Sequence, residues 1–224
     1  MVERIYVSDR NAAEDEPSDE YLILDLINDL FSGEHDKVEW SAYLLASHFT
    51  PPLPERIPEL SEALKFNLER EPVLPSMSFP VVNNITKCLV RSLEVSPNQD
   101  ALDALIQALG SDAAPLAARG ISFIPNNSAV DPLIDTIENQ KWEEYWIECD
   151  FKFHKNQRML NENPYPATEI LVHLEPLTVN VIKTLGIIGE PKAIDILTKF
   201  TNHELDEISE EANKSIERII ESSK

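Results

Sequence analysis

Apolar residues recur along this chain at helical spacing, in stripes closed off by proline, glycine or short polar runs. Ser18 is placed to cap a first helix, with Asp19 and Glu20 in its first turn, Leu22, Leu26 and Leu30 on one side up to Phe31, and Gly33 at its end. Trp40, Leu44, Leu45 and Phe49 share a side of a second helix, expected from Lys37 to Phe49 and broken by the proline-rich run from Thr50 to Pro54. A third starts near Glu55, tolerates Pro58 in its first turn, and carries Leu60, Leu64 and Leu68. Pro72, Pro75 and Pro80 mark a connection, and Val81 to Leu93 reads as helical up to Ser96 and Pro97.

The pattern then repeats. Ala101-Leu102-Asp103-Ala104-Leu105, Ala129-Val130-Asp131-Pro132-Leu133 and Ala193-Ile194-Asp195-Ile196-Leu197 are three versions of one segment. Each follows a helix with a basic residue at a matching place, namely Arg91, Arg119 and Lys183, and a corner at Pro97, Pro125 or Gly189. From Val181 to Ile188 the apolar stripe stops at Gly189, Pro191 suits a new first turn, and Ile194, Leu197 and Phe200 resume the period, which predicts a tight helical hairpin. Copies of about thirty residues lie in the range of helical solenoid repeats.

These segments resemble the short HEAT-like repeats named for the phycobilin lyases, through the run from Leu185 to Ile194 and, for the second half of the unit, Ser128 to Ile134. The resemblance covers Val81 to Ile137 and Val179 to Ile220 and fades before Val81. It implies an all-α, right-handed HEAT-like superhelix of four to five helical pairs. Residues 1–17 read as an acidic N-terminal tail and residues 18–224 as the repeat domain. Asn139 to Glu175 departs from the pattern and reads as a distorted repeat with a long loop. Glu204 to Ile220 closes the domain as a polar helix with Ile208, Ala212, Ile216 and Ile219 inward.

Composition narrows the function more than the fold. An apolar content of 42% excludes wholesale disorder, and 16 prolines against 5 glycines suit helix starts rather than flexible linkers. The formal charge of −21 repels phosphate backbones and anionic membranes, so direct nucleic-acid binding is not expected, whereas a basic protein partner is. No apolar run approaches a membrane span, and Met1 to Arg10 lacks the basic start and apolar centre of a signal peptide, so a cytoplasmic protein is expected. Cys88 and Cys149 stand far apart without a Cys-x-x-Cys pairing and read as buried thiols.

Chemistry-bearing motifs are sparse. Deoxyhypusine hydroxylase, an enzyme similar to such solenoids, binds iron through repeated His-Glu pairs; this chain has one, His203-Glu204, and no two histidines three or four apart on one helix. Neither a phosphate loop nor a nucleophile elbow is present, and no metal or cofactor is expected.

Asp103, Asp131 and Asp195 fall early in the second helix of their units. Stacking would line them up about 10 Å apart by helix packing distance. They serve either as first-turn acids, favoured by the helix dipole and bonding the corner N–H groups, or, with Asp100, Gln107, Asp135 and Glu138, as an acidic stripe on the face the second helices make. Trp142 and Trp146, beside Tyr145, Phe151 and Phe153, are core residues or an aromatic anchor for an Arg-bearing partner. The reading is therefore a non-catalytic protein-binding protein whose acidic surface, with Asp100, Asp103, Asp131, Asp135, Asp195, Trp142 and Trp146, meets a basic partner. The alternatives are an immunity-type inhibitor of a basic toxin or nuclease and a bilin-lyase-like enzyme.

Overall fold

The computed structural model describes residues 19–47, 50–70, 81–138 and 168–224. Among them the chain forms α1 (Asp19–Asp29), α2 (His35–Ala46), α3 (Ile57–Arg70), α4 (Val81–Val95), α5 (Leu102–Ala108), α6 (Ala114–Phe123), α7 (Val130–Glu138), α8 (Thr168–Ile188), α9 (Ile194–Thr198) and α10 (Asp206–Ser222). Short 3-10 turns, Pro54–Arg56, Gln99–Ala101, Asn127–Ala129 and Pro191–Ala193, lead into α3, α5, α7 and α9. No strand occurs among the described residues, and the fold is all-helical. The expected tail over residues 1–17, the Ser18 cap, Phe49, Cys149, Trp142 and Trp146 lie outside the described residues.

From α3 on, the stripes read from the sequence are the buried faces. In the first two helices the buried side is instead Ile27 and Leu30 at the end of α1 and Val38, Ala42, Leu45 and Ala46 of α2, while Leu22, Phe31 and Trp40 are exposed, because α1 and α2 lie at the end of the stack and are covered on fewer sides. Ile85, Leu89 and Leu93 of α4, Leu105 of α5, Ile121 of α6 and Leu133 of α7 are fully buried in one continuous core. Burying each such side chain contributes roughly 1.5–3 kcal/mol. In α10, Ile208, Ala212 and Ile219 are buried and Ile216 packs on the core, while Asp206, Glu207, Glu210, Asn213 and Lys214 face solvent.

Helices alternate between two rows. In the first, α2 packs on α4, α4 on α6, α6 on α8 and α8 on α10; in the second, α1 meets α3 and α3 meets α5. Across the rows α1 packs on α2, α3 on α4, α5 on α6, α7 on α8 and α9 on α10. The first row is close-packed because small residues stand at its crossings. A Cβ added to Gly120 of α6 would lie 2.9 Å from Val90 of α4, and one added to Gly186 of α8 would lie 2.8 Å from the Ser215 Cα of α10.

Polar side chains of one helix secure the corners of its neighbours. Asn67 of α3 donates from Nδ2 to the Leu30 carbonyl (3.0 Å), and Arg70 donates to the Ser32 carbonyl (2.9 Å), satisfying oxygens that the end of α1 leaves open. These contacts, rather than a left-handed glycine, finish α1: it ends at Asp29, short of Gly33, and Gly189 is the glycine with positive φ (+79°) among the described residues. There the Gly189 N–H donates to the Leu185 carbonyl (3.1 Å), closing α8 as the sequence predicts. At its other end α8 starts at Thr168, so helix runs into the stretch expected to be irregular. Cys88 is buried in α4, and loss of water around it pushes its thiol up to about 12, leaving it unreactive at neutral pH.

Candidate functional site

The second row carries the acidic residues singled out in the sequence. Asp103, Asp131 and Asp195 each occupy the first turn of a second-row helix, α5, α7 and α9, and each is exposed. The corner N–H groups are served by other side chains: Asn98 Oδ1 accepts from the Asp100 N–H (2.9 Å) and Asn126 Oδ1 from the Ser128 N–H (3.0 Å). Both asparagines follow a proline, Pro97 and Pro125, so the repeated Pro-Asn dipeptide was the signal for these caps. In the third copy Glu190 stands at that place without a capping bond and instead accepts from Asn127 Nδ2 (3.0 Å).

The aspartates do not share one environment. Asp131 forms an ion pair with Lys192 Nζ (2.9 Å), and Glu138, at the other end of α7, forms one with Lys199 (2.9 Å). Two bridges and the Asn127–Glu190 bond thus tie α7 and its lead-in turn to the flanks of α9. Asp100, Asp103 and Asp195 have no ion pair among the described residues.

Two depressions flank α5 on this side. The larger, about 540 Å³, lies between α3 and α5 and is lined by Pro58, Glu62, Gln99, Asp100, Leu102, Asp103 and Asn126. Its polar rim has three carboxylates, of which Glu62 also holds Lys65 (3.2 Å). The smaller, about 270 Å³, lies between α5 and α7 and is lined by Ile106, Gln107, Leu109, Gly110, Pro132, Asp135 and Thr136. Asp100 and Asp103 therefore share one groove, Asp135 lies in the next, and Asp131 and Asp195 line neither. Sequence reading did not include Glu62, because the repeat pattern fades before Val81 and gives α3 no aligned position.

His203 is used structurally: its Nδ1 accepts from the Leu205 N–H (3.1 Å), and its ring lies 6.2 Å from that of Phe200. Among the described residues no three His, Cys, Asp or Glu side chains cluster in a way that could hold a metal ion, and no helix is long and apolar enough to cross a membrane. The sequence matches no protein-family model, and no curated protein is significantly similar to it.

Proposed function

We propose that this chain is a non-catalytic protein-binding protein built as a right-handed HEAT-like α-solenoid, with the acidic second row as its docking face for a basic partner protein. The superhelical reading is supported by the alternation of helices between two rows and by the equivalent placement of Asp103, Asp131 and Asp195 in three successive second-row helices. The partner class rests on one observation: the groove between α3 and α5, where Glu62, Asp100 and Asp103 meet and the two aspartates have no ion pair among the described residues.

A Lys or Arg side chain entering this groove exchanges part of its hydration for carboxylate oxygens. Each exposed pair contributes about 0–1 kcal/mol and is screened by salt, so the groove acts through several pairs and chiefly on the association rate. The test is stopped-flow association with a Lys/Arg-bearing peptide over a series of salt concentrations. Asp100→Asn combined with Asp103→Asn is expected to slow association and flatten its salt dependence while leaving the melting temperature in place. An unchanged rate and salt slope would overturn the assignment of the groove.

A further inference from the structure

Arg91, Arg119 and Lys183 hold equivalent positions in α4, α6 and α8, yet the structure uses them differently. Arg91 is committed to a corner, donating to the carbonyls of Ser47 (2.8 Å) and Thr50 (2.7 Å). Arg119 is half exposed, reaches Glu94 at 3.4 Å, and holds its guanidinium 6.0 Å from the centre of the Phe123 ring. Lys183 is exposed, with no hydrogen bond or ion pair among the described residues.

One helical turn beyond each cation stands an apolar residue at an equivalent place. Val95 is 62% exposed, Ile187 is 39% exposed, and Phe123 is only partly buried against the core. The residues between them, Leu93, Ile121 and Leu185, are fully buried, so each helix turns cation and apolar side chain to the same outer side.

Helix packing brings these positions side by side. Thr184, equivalent to Gly120, donates to the Ala118 carbonyl (2.9 Å), and Gly120, equivalent to Ser92, sits against Val90. The stagger from one helix to the next is therefore the same at both crossings, and the rows of cations and apolar residues continue across them. A single exposed Ile or Val needs no explanation. Recurrence at matched positions on adjacent helices, beside matched cations, does.

Within α4, α6 and α8 from Leu177 on, the charges are the reverse of those of the chain as a whole and of α10, which packs on α8 and is acidic. Lys87, Arg91, Arg119 and Lys183 face one acid, Glu94, along α4, α6 and α8 from Leu177 on, in a molecule of net charge −21. We propose that this face of α4, α6 and α8 is a second docking surface, for a protein segment that carries carboxylates beside apolar side chains.

Neighbouring helix axes lie about 8–10 Å apart, and an extended segment advances about 3.3 Å per residue. Carboxylates at every third residue of such a segment meet Arg119 and Lys183 in turn, and the intervening apolar side chains cover Phe123 and Ile187. The apolar contacts anchor the segment and the cations fix its register. An anionic membrane is disfavoured because its broad surface also meets the acidic remainder of the chain, whereas a narrow segment meets only this strip.

The experiment uses the full chain and a short fluorescein-labelled peptide with Glu at every third position and Leu and Phe between them, followed by anisotropy. Arg119→Glu combined with Lys183→Glu is expected to weaken binding roughly fivefold or more, since each exposed attraction becomes a repulsion. Ile187→Ser is expected to weaken it as well, and Glu69→Gln, at the exposed end of α3 in the opposite row, to leave it unchanged, with circular dichroism showing all variants folded.

Equal binding of a peptide with Ser in place of Leu and Phe would reduce the effect to ion exchange and overturn the proposal. So would unchanged affinity in the charge-reversed variant. Phosphatidylserine vesicles that sediment the chain when the peptide does not bind would overturn it in favour of a lipid surface. A dimer in sedimentation that the charge reversal dissociates would overturn it in favour of a second copy of this chain.

Discussion

Lys192 Nζ lies 2.9 Å from Asp131 Oδ1, joining the turn before α9 to the first turn of α7. Among the described residues, Asp131 is the one of the three equivalent aspartates that has an ion pair. The pair is solvated, with side chains 45% and 80% exposed, so its coupling is small. A double-mutant cycle with Asp131→Asn and Lys192→Met is expected to give under about 1 kcal/mol, falling as salt is added. Asp103→Asn, which breaks no ion pair among the described residues, is expected to leave stability unchanged in the same urea titrations. A larger loss at Asp103 than at Asp131 would show that the first-turn acids hold the corners.

Asp112, in the turn between α5 and α6, gives the clearest pH dependence. Its Oδ1 is buried without a hydrogen-bond partner among the described residues, and loss of water pushes its carboxyl from 3.8 up to about 6, against a smaller lowering by the Ala113 N–H. The folded state binds this proton more tightly than the unfolded one, so stability falls as pH rises from about 4 through 6. The cost of the charged form above that window is at most about 3 kcal/mol, at 1.36 kcal/mol for each pH unit. Asp112→Asn removes it. Urea unfolding at pH 5 and pH 7.5 is expected to show the variant gaining on the parent at the higher pH; an identical pH response in both would contradict the burial of this carboxylate.

The crossing of α8 and α10 predicts opposite outcomes for two small substitutions. Gly186→Ala places a methyl group 2.8 Å from the Ser215 Cα, a backbone atom that cannot rotate away, and is expected to cost roughly 1–3 kcal/mol by overpacking. Ser215→Ala removes a buried hydroxyl whose Oγ has no partner among the described residues, and is expected to be neutral or stabilising by about 1 kcal/mol. Thermal melts of the two variants, each measured against the parent, decide both.

From α3 on, the helices and their buried sides were legible in the sequence, as was the corner at Gly189, because each depends on residues three or four positions apart; in α1 and α2 the stripe through Leu22 and Trp40 was not the buried one. Leu185, Gly189 and Pro191 end one helix and start the next wherever the hairpin sits in the molecule, and the repeated Ala-x-Asp segments place Asp103, Asp131 and Asp195 in first turns for the same local reason. What surrounds those residues depends on stacking. Lys192 reaches Asp131 only because α9's lead-in turn comes beside α7, and Asn67 closes the end of α1 only because α3 packs against it. Arg91, Arg119 and Lys183 are interchangeable in a pattern of basic positions. Tertiary structure made the first a corner brace, gave the second to Glu94 and left the third in solvent, because the chain beside each helix differs even where the helices themselves repeat.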